Sequence, residues 1–106
     1  LSETQIFFSL VPREKIIGIT GTKGKTTTAM LIAHLLKARF ETILVGNIPE
    51  HSALETLVGL KKMPDFFVYE LSSFNLEGMK TSPRYAVITN IFPDHLNRYK
   101  NLKWNH

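Results

Sequence analysis

The chain's 106 residues, 43% of them hydrophobic and 21% charged, make one domain at most, able to bury roughly 60–70% of the unfolded surface. Seven Phe and three Tyr argue against disorder, and the absence of cysteine excludes a disulfide framework and thiolate metal sites, leaving the cytoplasm as the default compartment. The net charge of +4 comes from scattered Lys and Arg, which argues against a nucleic-acid surface, and no apolar run approaches the about 20 residues that span a bilayer.

The opening, Leu1 to Phe8, has neither the basic region nor the apolar length of a signal peptide. It also lacks an initiator Met, so the chain is expected to begin within a longer protein. Residues 1–14 read as a lead-in segment, with Thr4 to Leu10 a short strand or simple approach. Val11-Pro12-Arg13-Glu14 reads as a turn, since proline fixes its own φ and restricts the residue before it. Lys15 to Thr20 is an apolar strand built on Ile16, Ile17 and Ile19. A glycine turn, Gly21 to Gly24, follows it and runs into a helix expected over about Thr26 to Arg39.

This strand–turn–helix stretch carries the chemistry. Glycines let consecutive backbone N–H groups face one concavity, and the positive end of the helix dipole makes that concavity an anion site. Lys25 adds a mobile positive charge for outer phosphates, and Thr26 offers a hydroxyl to a magnesium ion bound to them. Gly21, Thr22, Lys23, Gly24, Lys25, Thr26 and Thr27 are therefore the expected nucleotide-binding residues. A Gly-Lys-Thr triplet alone occurs by chance, and the simple pattern is missed by one residue, because Ile19 stands where the first glycine belongs. The flanking strand and helix supply the specificity. Residues 15–106 are accordingly read as a phosphate-loop ATP-binding domain.

In the helix, Ala29, Ile32, Ala33 and Leu36 recur at helical spacing. Met30, Leu31 and Leu35 widen that stripe, so the helix is expected to be mostly buried, with His34, Lys37 and Arg39 on its wet side. Thr42 to Gly46 is a second strand, and Glu50 to Lys62 has a helical pattern closed by Pro64. Asp65 to Leu71 and Tyr85 to Ile91 are further strands, separated by a loop or short helix over Ser72 to Lys80. Strands and helices alternate, and the strands are continuous apolar runs, as parallel strands covered on both faces are. The expected architecture is α/β: an open, mostly parallel sheet with helices on both faces. Strand order is not legible at this level.

In a parallel sheet all carboxyl ends share one edge, where ligands bind. The first strand delivers the glycine turn there and the second Asn47. The third delivers Glu70, Ser72, Ser73 and Asn75, and the fourth Asn90, Asp94 and His95. Together they suit a two-metal, polyphosphate and polar-substrate site. Each also has a plainer role. A lone carboxylate in an apolar strand is costly, so Glu70 is either a magnesium ligand opposite Thr26 or a satisfied structural group. His95 can cap a turn, Asn47 can make one beside Gly46, and Asp94 suits a helix N-cap. Arg98 and Lys100 read as solvated, and Trp104 and His106 as tail.

Four blocks in order resemble the central domain of the Mur ligases: Thr20 to Thr27, Gly46-Asn47-Ile48, Glu70-Leu-Ser-Ser-Phe-Asn-Leu-Glu77, and Asn90 through Asp94-His95-Leu96-Asn97-Arg98. The third block is most similar to the D-glutamate-adding branch. The resemblance implies an ATP-dependent carboxylate–amine ligase of peptidoglycan precursor synthesis. It would add D-glutamate to UDP-N-acetylmuramoyl-L-alanine through an acyl phosphate. ATP and Mg2+ are the implied cofactors, with small molecules as the only implied partners: no nucleic acid, no membrane and no obligate protein. Carried over by position, Lys25, Glu70 and His95 are catalytic, and Thr26, Glu70 and His95 hold metal. Asn47, Ser72, Asn75 and Asn90 lie toward the muramoyl substrate or metal-bound waters.

Departures from the family pattern are Lys23 for Asn, Pro49 for Gly, Asn75 for Gln and Asn97 for Asp. The family's bridging carbamylated lysine, adenine-holding residues and flanking domains have no counterpart here, so turnover by this chain alone is not expected. A folylpolyglutamate-synthase-like ligase shares the loop but not the Glu-Leu-Ser-Ser-Phe block, and a non-catalytic ATP-binding remnant is the alternative from another class.

Overall fold

A computed structural model describes residues 2–21, 23–46, 52–71 and 82–89. Within these residues Ile16–Thr20 (β1), Thr42–Gly46 (β2), Phe66–Glu70 (β3) and Tyr85–Ile88 (β4) form one sheet in the order β2-β3-β1-β4. Every neighbouring pair is parallel. The helices are Glu3–Leu10 (α1), Lys25–Leu36 (α2) and Ala53–Gly59 (α3). The expected α/β architecture is what the chain adopts, with each described strand within a residue or so of its expected start.

Side-chain alternation along the strands divides the apolar residues between two cores. Ile16, Val45, Phe67, Tyr69 and Leu71 pack on one face with Phe7 and Phe8 of α1 and Ala53 of α3. Ile19 and Val68 point to the other face, against Ala29 and Ala33 of α2. Helices therefore cover both faces.

Two expectations are corrected. Thr4 to Leu10 is helix, not strand. Ser2 and Gln5 form a capping box, in which the Ser2 hydroxyl accepts from the Gln5 N–H and the Gln5 side chain accepts from the Ser2 N–H. The aromatic pair Phe7-Phe8, which reads as strand by propensity, is instead buried against β3. The second correction concerns α2, which is not mostly buried. Its two alanines, one helical turn apart, seat it on the sheet, while Met30, Leu31 and Leu35 are 57%, 57% and 64% exposed. A single sheet meets only one stripe of a helix, and these three residues face away from it.

Among the described residues no helix is long and apolar enough to cross a membrane.

Tyr69 joins β3 to α1. Its hydroxyl donates to Thr4 Oγ1 at 3.1 Å inside the core. Burial pushes its phenol above the ordinary 10.0, the Thr4 hydrogen bond opposes that rise, and the nearby Glu3 charge adds to it. The folded state thus holds the Tyr69 proton more tightly than the unfolded chain does. The stabilisation is complete below the unfolded value of 10.0 and is lost as pH rises through the higher folded value. Tyr69→Phe is expected to cost about 1 kcal/mol near neutrality. Urea midpoints of the two chains should converge as pH rises above 10.0. A gap that stays constant between about pH 8 and about pH 11 would refute the linkage.

Candidate functional site

Because the strands are parallel, Thr20, Gly46, Glu70 and Ile88 end on one edge of the sheet. The register brings these ends level. Gly46 and Ile19 both pair with Glu70, and Thr20 pairs with Ile88.

At that edge β1 turns into α2 through two glycines with positive φ, Gly21 at 137° and Gly24 at 77°. Such angles suit glycine, which has no Cβ to clash. Gly24 is the N-cap of α2 in the left-handed conformation, and it has no side chain with which to cap the first turn. No acidic side chain stands in that turn either. Among the described residues no side chain caps the N–H groups at this end of the helix, and the helix dipole makes the end attractive to anions. Lys25, half-buried, is the first helical residue, and Thr26 and Thr27 follow it.

Glu70 shares the face of β3 that carries Val68, so its carboxylate emerges under the start of α2. The Thr26 hydroxyl donates to Glu70 Oε1 at 2.8 Å across 44 residues of sequence. Glu70 is only 4% exposed, and its other oxygen, Oε2, is buried without a hydrogen-bond partner among the described residues. A carboxylate so enclosed, with half its acceptor capacity unused, is costly unless something positive completes it. A hydroxyl and a carboxylate are hard oxygen donors of the kind magnesium takes. Thr26 gives its proton to Glu70 and keeps its lone pairs for such an ion, so the pair fits a magnesium site. No group of three or more His, Cys, Asp or Glu gathers anywhere among the described residues, so the oxygen donors described here are one hydroxyl and one carboxylate.

Two roles at this edge were not read from sequence: the close approach at Gly46, itself part of the Gly46-Asn47-Ile48 block, and the part played by Thr89. Gly46, with φ 122°, ends β2 so close to β3 that an added Cβ would lie 2.5 Å from the Glu70 carbonyl oxygen and 2.8 Å from its nitrogen. Thr89, just past β4, donates its hydroxyl to the Lys23 carbonyl at 2.7 Å, and its N–H bonds the Thr20 carbonyl at 2.9 Å. The one sequence signal for Thr89 was a hydroxyl in an otherwise apolar run, Ala86-Val87-Ile88.

Of the expected site residues, Gly21, Lys23, Gly24, Lys25, Thr26, Thr27 and Glu70 gather at this edge. Thr22, Asn47, Ser72, Asn75, Asn90 and His95 lie outside the described residues, as does Asp94.

Comparison with known proteins gives one family match and a set of relatives. The sequence model of the Mur ligase middle domain matches residues 19–104. A UDP-N-acetylmuramoylalanine--D-glutamate ligase of Roseiflexus sp. (strain RS-1) is 48% identical over 101 residues, covering 92% of this chain and 21% of the relative. Ligases of the same name from Christiangramia forsetii and Acetivibrio thermocellus are 47% and 44% identical, covering 88% and 96% of the chain and 20% and 22% of those proteins. The chain thus spans about a fifth of the length of the curated relatives it matches.

Proposed function

The chain belongs to the Mur ligase family, and from that premise we propose that it is the nucleotide-gripping part of a cytoplasmic ligase of peptidoglycan precursor synthesis. The reaction is ATP-dependent addition of D-glutamate to UDP-N-acetylmuramoyl-L-alanine. It rests on the relatives' printed name and on one observation above the others, the Thr26–Glu70 pair with its unsatisfied buried oxygen.

In this reading the backbone N–H groups from Gly21 to Thr27 cradle the β- and γ-phosphates, and Lys25 neutralises charge on the γ-phosphoryl group as it leaves for the alanine carboxylate. The D-glutamate amine then attacks the acyl phosphate, and phosphate departs. Little covalent chemistry is asked of the protein; position and charge supply most of the rate. Magnesium, when bound, screens the phosphate charge, and Thr26 and Glu70 hold it. His95 is assigned to a second magnesium, and Asn47, Ser72, Asn75 and Asn90 to the muramoyl substrate side, on the sequence resemblance.

Titration calorimetry of the 106-residue chain with ATP tests the grip without requiring turnover. Mg-ATP should bind, and Lys25→Ala should weaken it by about tenfold to a hundredfold, the worth of a charge-assisted hydrogen bond. Glu70→Gln should leave ATP binding that no longer responds to magnesium. A folded chain that ignores ATP with and without magnesium overturns the reading.

A further inference from the structure

Thr89 belongs to no expected motif, yet it holds the glycine turn from outside. Its hydroxyl has one proton and two carbonyls in reach, Lys23 at 2.7 Å and Thr20 at 3.3 Å, so the nearer one takes it. The residue is itself anchored, since its N–H continues the β1–β4 ladder onto the Thr20 carbonyl. Threonine's branched Cβ limits the rotamers available to that hydroxyl.

From this arrangement we infer that Thr89 is a positioning residue that aims the Gly24 N–H at the bound polyphosphate, an inference resting on the function proposed above. The Lys23–Gly24 peptide is planar and trans, so its carbonyl and its N–H point in opposite directions. With the carbonyl tied to Thr89 beside β4, the Gly24 N–H is turned away from β4. In the strand order β2-β3-β1-β4, away from β4 is the side of β1 on which Thr26 meets Glu70. Gly24, at φ 77° and with nothing within 4 Å of where a Cβ would stand, brings no side chain of its own to hold this peptide. A glycine peptide left free would sample several orientations, and its ordering would have to be supplied when the nucleotide binds.

Thr89→Val keeps the shape and removes the hydroxyl; Thr89→Ser keeps the hydroxyl and removes the methyl. Both are compared with the parent chain at a temperature where circular dichroism shows all three folded. Without nucleotide, the Gly24 amide resonance in a 1H–15N spectrum should move in the Val variant and stay in place in the Ser variant. Mg-ATP affinity should fall about tenfold in Val and stay within about threefold in Ser. A purely structural role would lower the melting temperature of Thr89→Val without shifting Gly24 or the affinity, and that result overturns the inference. So does a Ser variant that behaves like Val. Should the parent bind no Mg-ATP, the proposed function fails, while the Gly24 resonance still decides whether the hydroxyl sets this peptide.

Discussion

Gly46→Ala is expected to unseat Glu70 and cost at least about 3 kcal/mol, of which about 1–3 kcal/mol is backbone strain alone. The left-handed φ of 122° is one that alanine resists. The larger problem is room. The new methyl would fall 2.5 Å from the Glu70 carbonyl oxygen, 2.8 Å from its nitrogen and 3.1 Å from Tyr69 Cδ1. Two of those three atoms are backbone of the central strand β3, which is paired on both sides and has no rotamer into which to retreat. Relief must come from parting β2 and β3 at their carboxyl ends, where Glu70 reaches Thr26. The melting temperature should drop by more than about 10 °C, taking the usual scaling of a few degrees per kcal/mol for a domain of this size. Gly59→Ala is the control, because a Cβ there meets nothing within 4 Å and its φ is not in the left-handed region. Equal melting temperatures for the two variants would show that the close approach at Gly46 carries no weight.

Phe7→Ala should be as damaging, for a different reason. The ring is fully buried and meets Phe67 and Tyr69 edge-on, with centroids 5.0 and 4.9 Å away, and Phe8 at 6.2 Å. Truncating a buried phenylalanine costs about 3–5 kcal/mol, a large part of the roughly 5–15 kcal/mol that holds a domain together. An eight-residue helix is not stable by itself, so α1 depends on this contact to stay folded. Urea unfolding should show the midpoint collapsing, whereas Leu10→Ala, on the same helix but 61% exposed, should change stability by less than about 0.5 kcal/mol. If Phe7→Ala unfolded at the parent's urea concentration, α1 would be an appendage and not part of the cooperative core.

The alternation of strands and helices was legible because buried parallel strands must be apolar throughout, and Ile16 to Ile19 and Phe66 to Tyr69 are. The Thr26–Glu70 pairing was legible too, since a strand that ends in a carboxylate needs a reason to bury it. What failed was local. Ile6-Phe7-Phe8 reads as strand by propensity, and only the Ser2–Gln5 capping box marks it as helix. The width of apolar sequence on α2 overstated its burial, because periodicity reports which residues tolerate a core and not how much partner surface exists. The close approach at Gly46 and the role of Thr89 escaped because they depend on register between strands far apart in sequence. No run of neighbouring residues encodes that Gly46 lies level with Glu70, or that Thr89 comes alongside Lys23.

The placing of β3 between β2 and β1 governs how the molecule is assembled. Within the described sheet neither earlier strand has a hydrogen-bonding neighbour until residues 66–70 exist. Until Phe66 emerges the polypeptide can therefore form helices but none of this described sheet, and Ile16, Ile19 and Val45 have only each other and the helices for cover. Insertion of one segment then zips both flanks together and delivers Glu70 to a threonine made 44 residues before. Maturation of the scaffold and completion of its acidic–hydroxyl pair are one event.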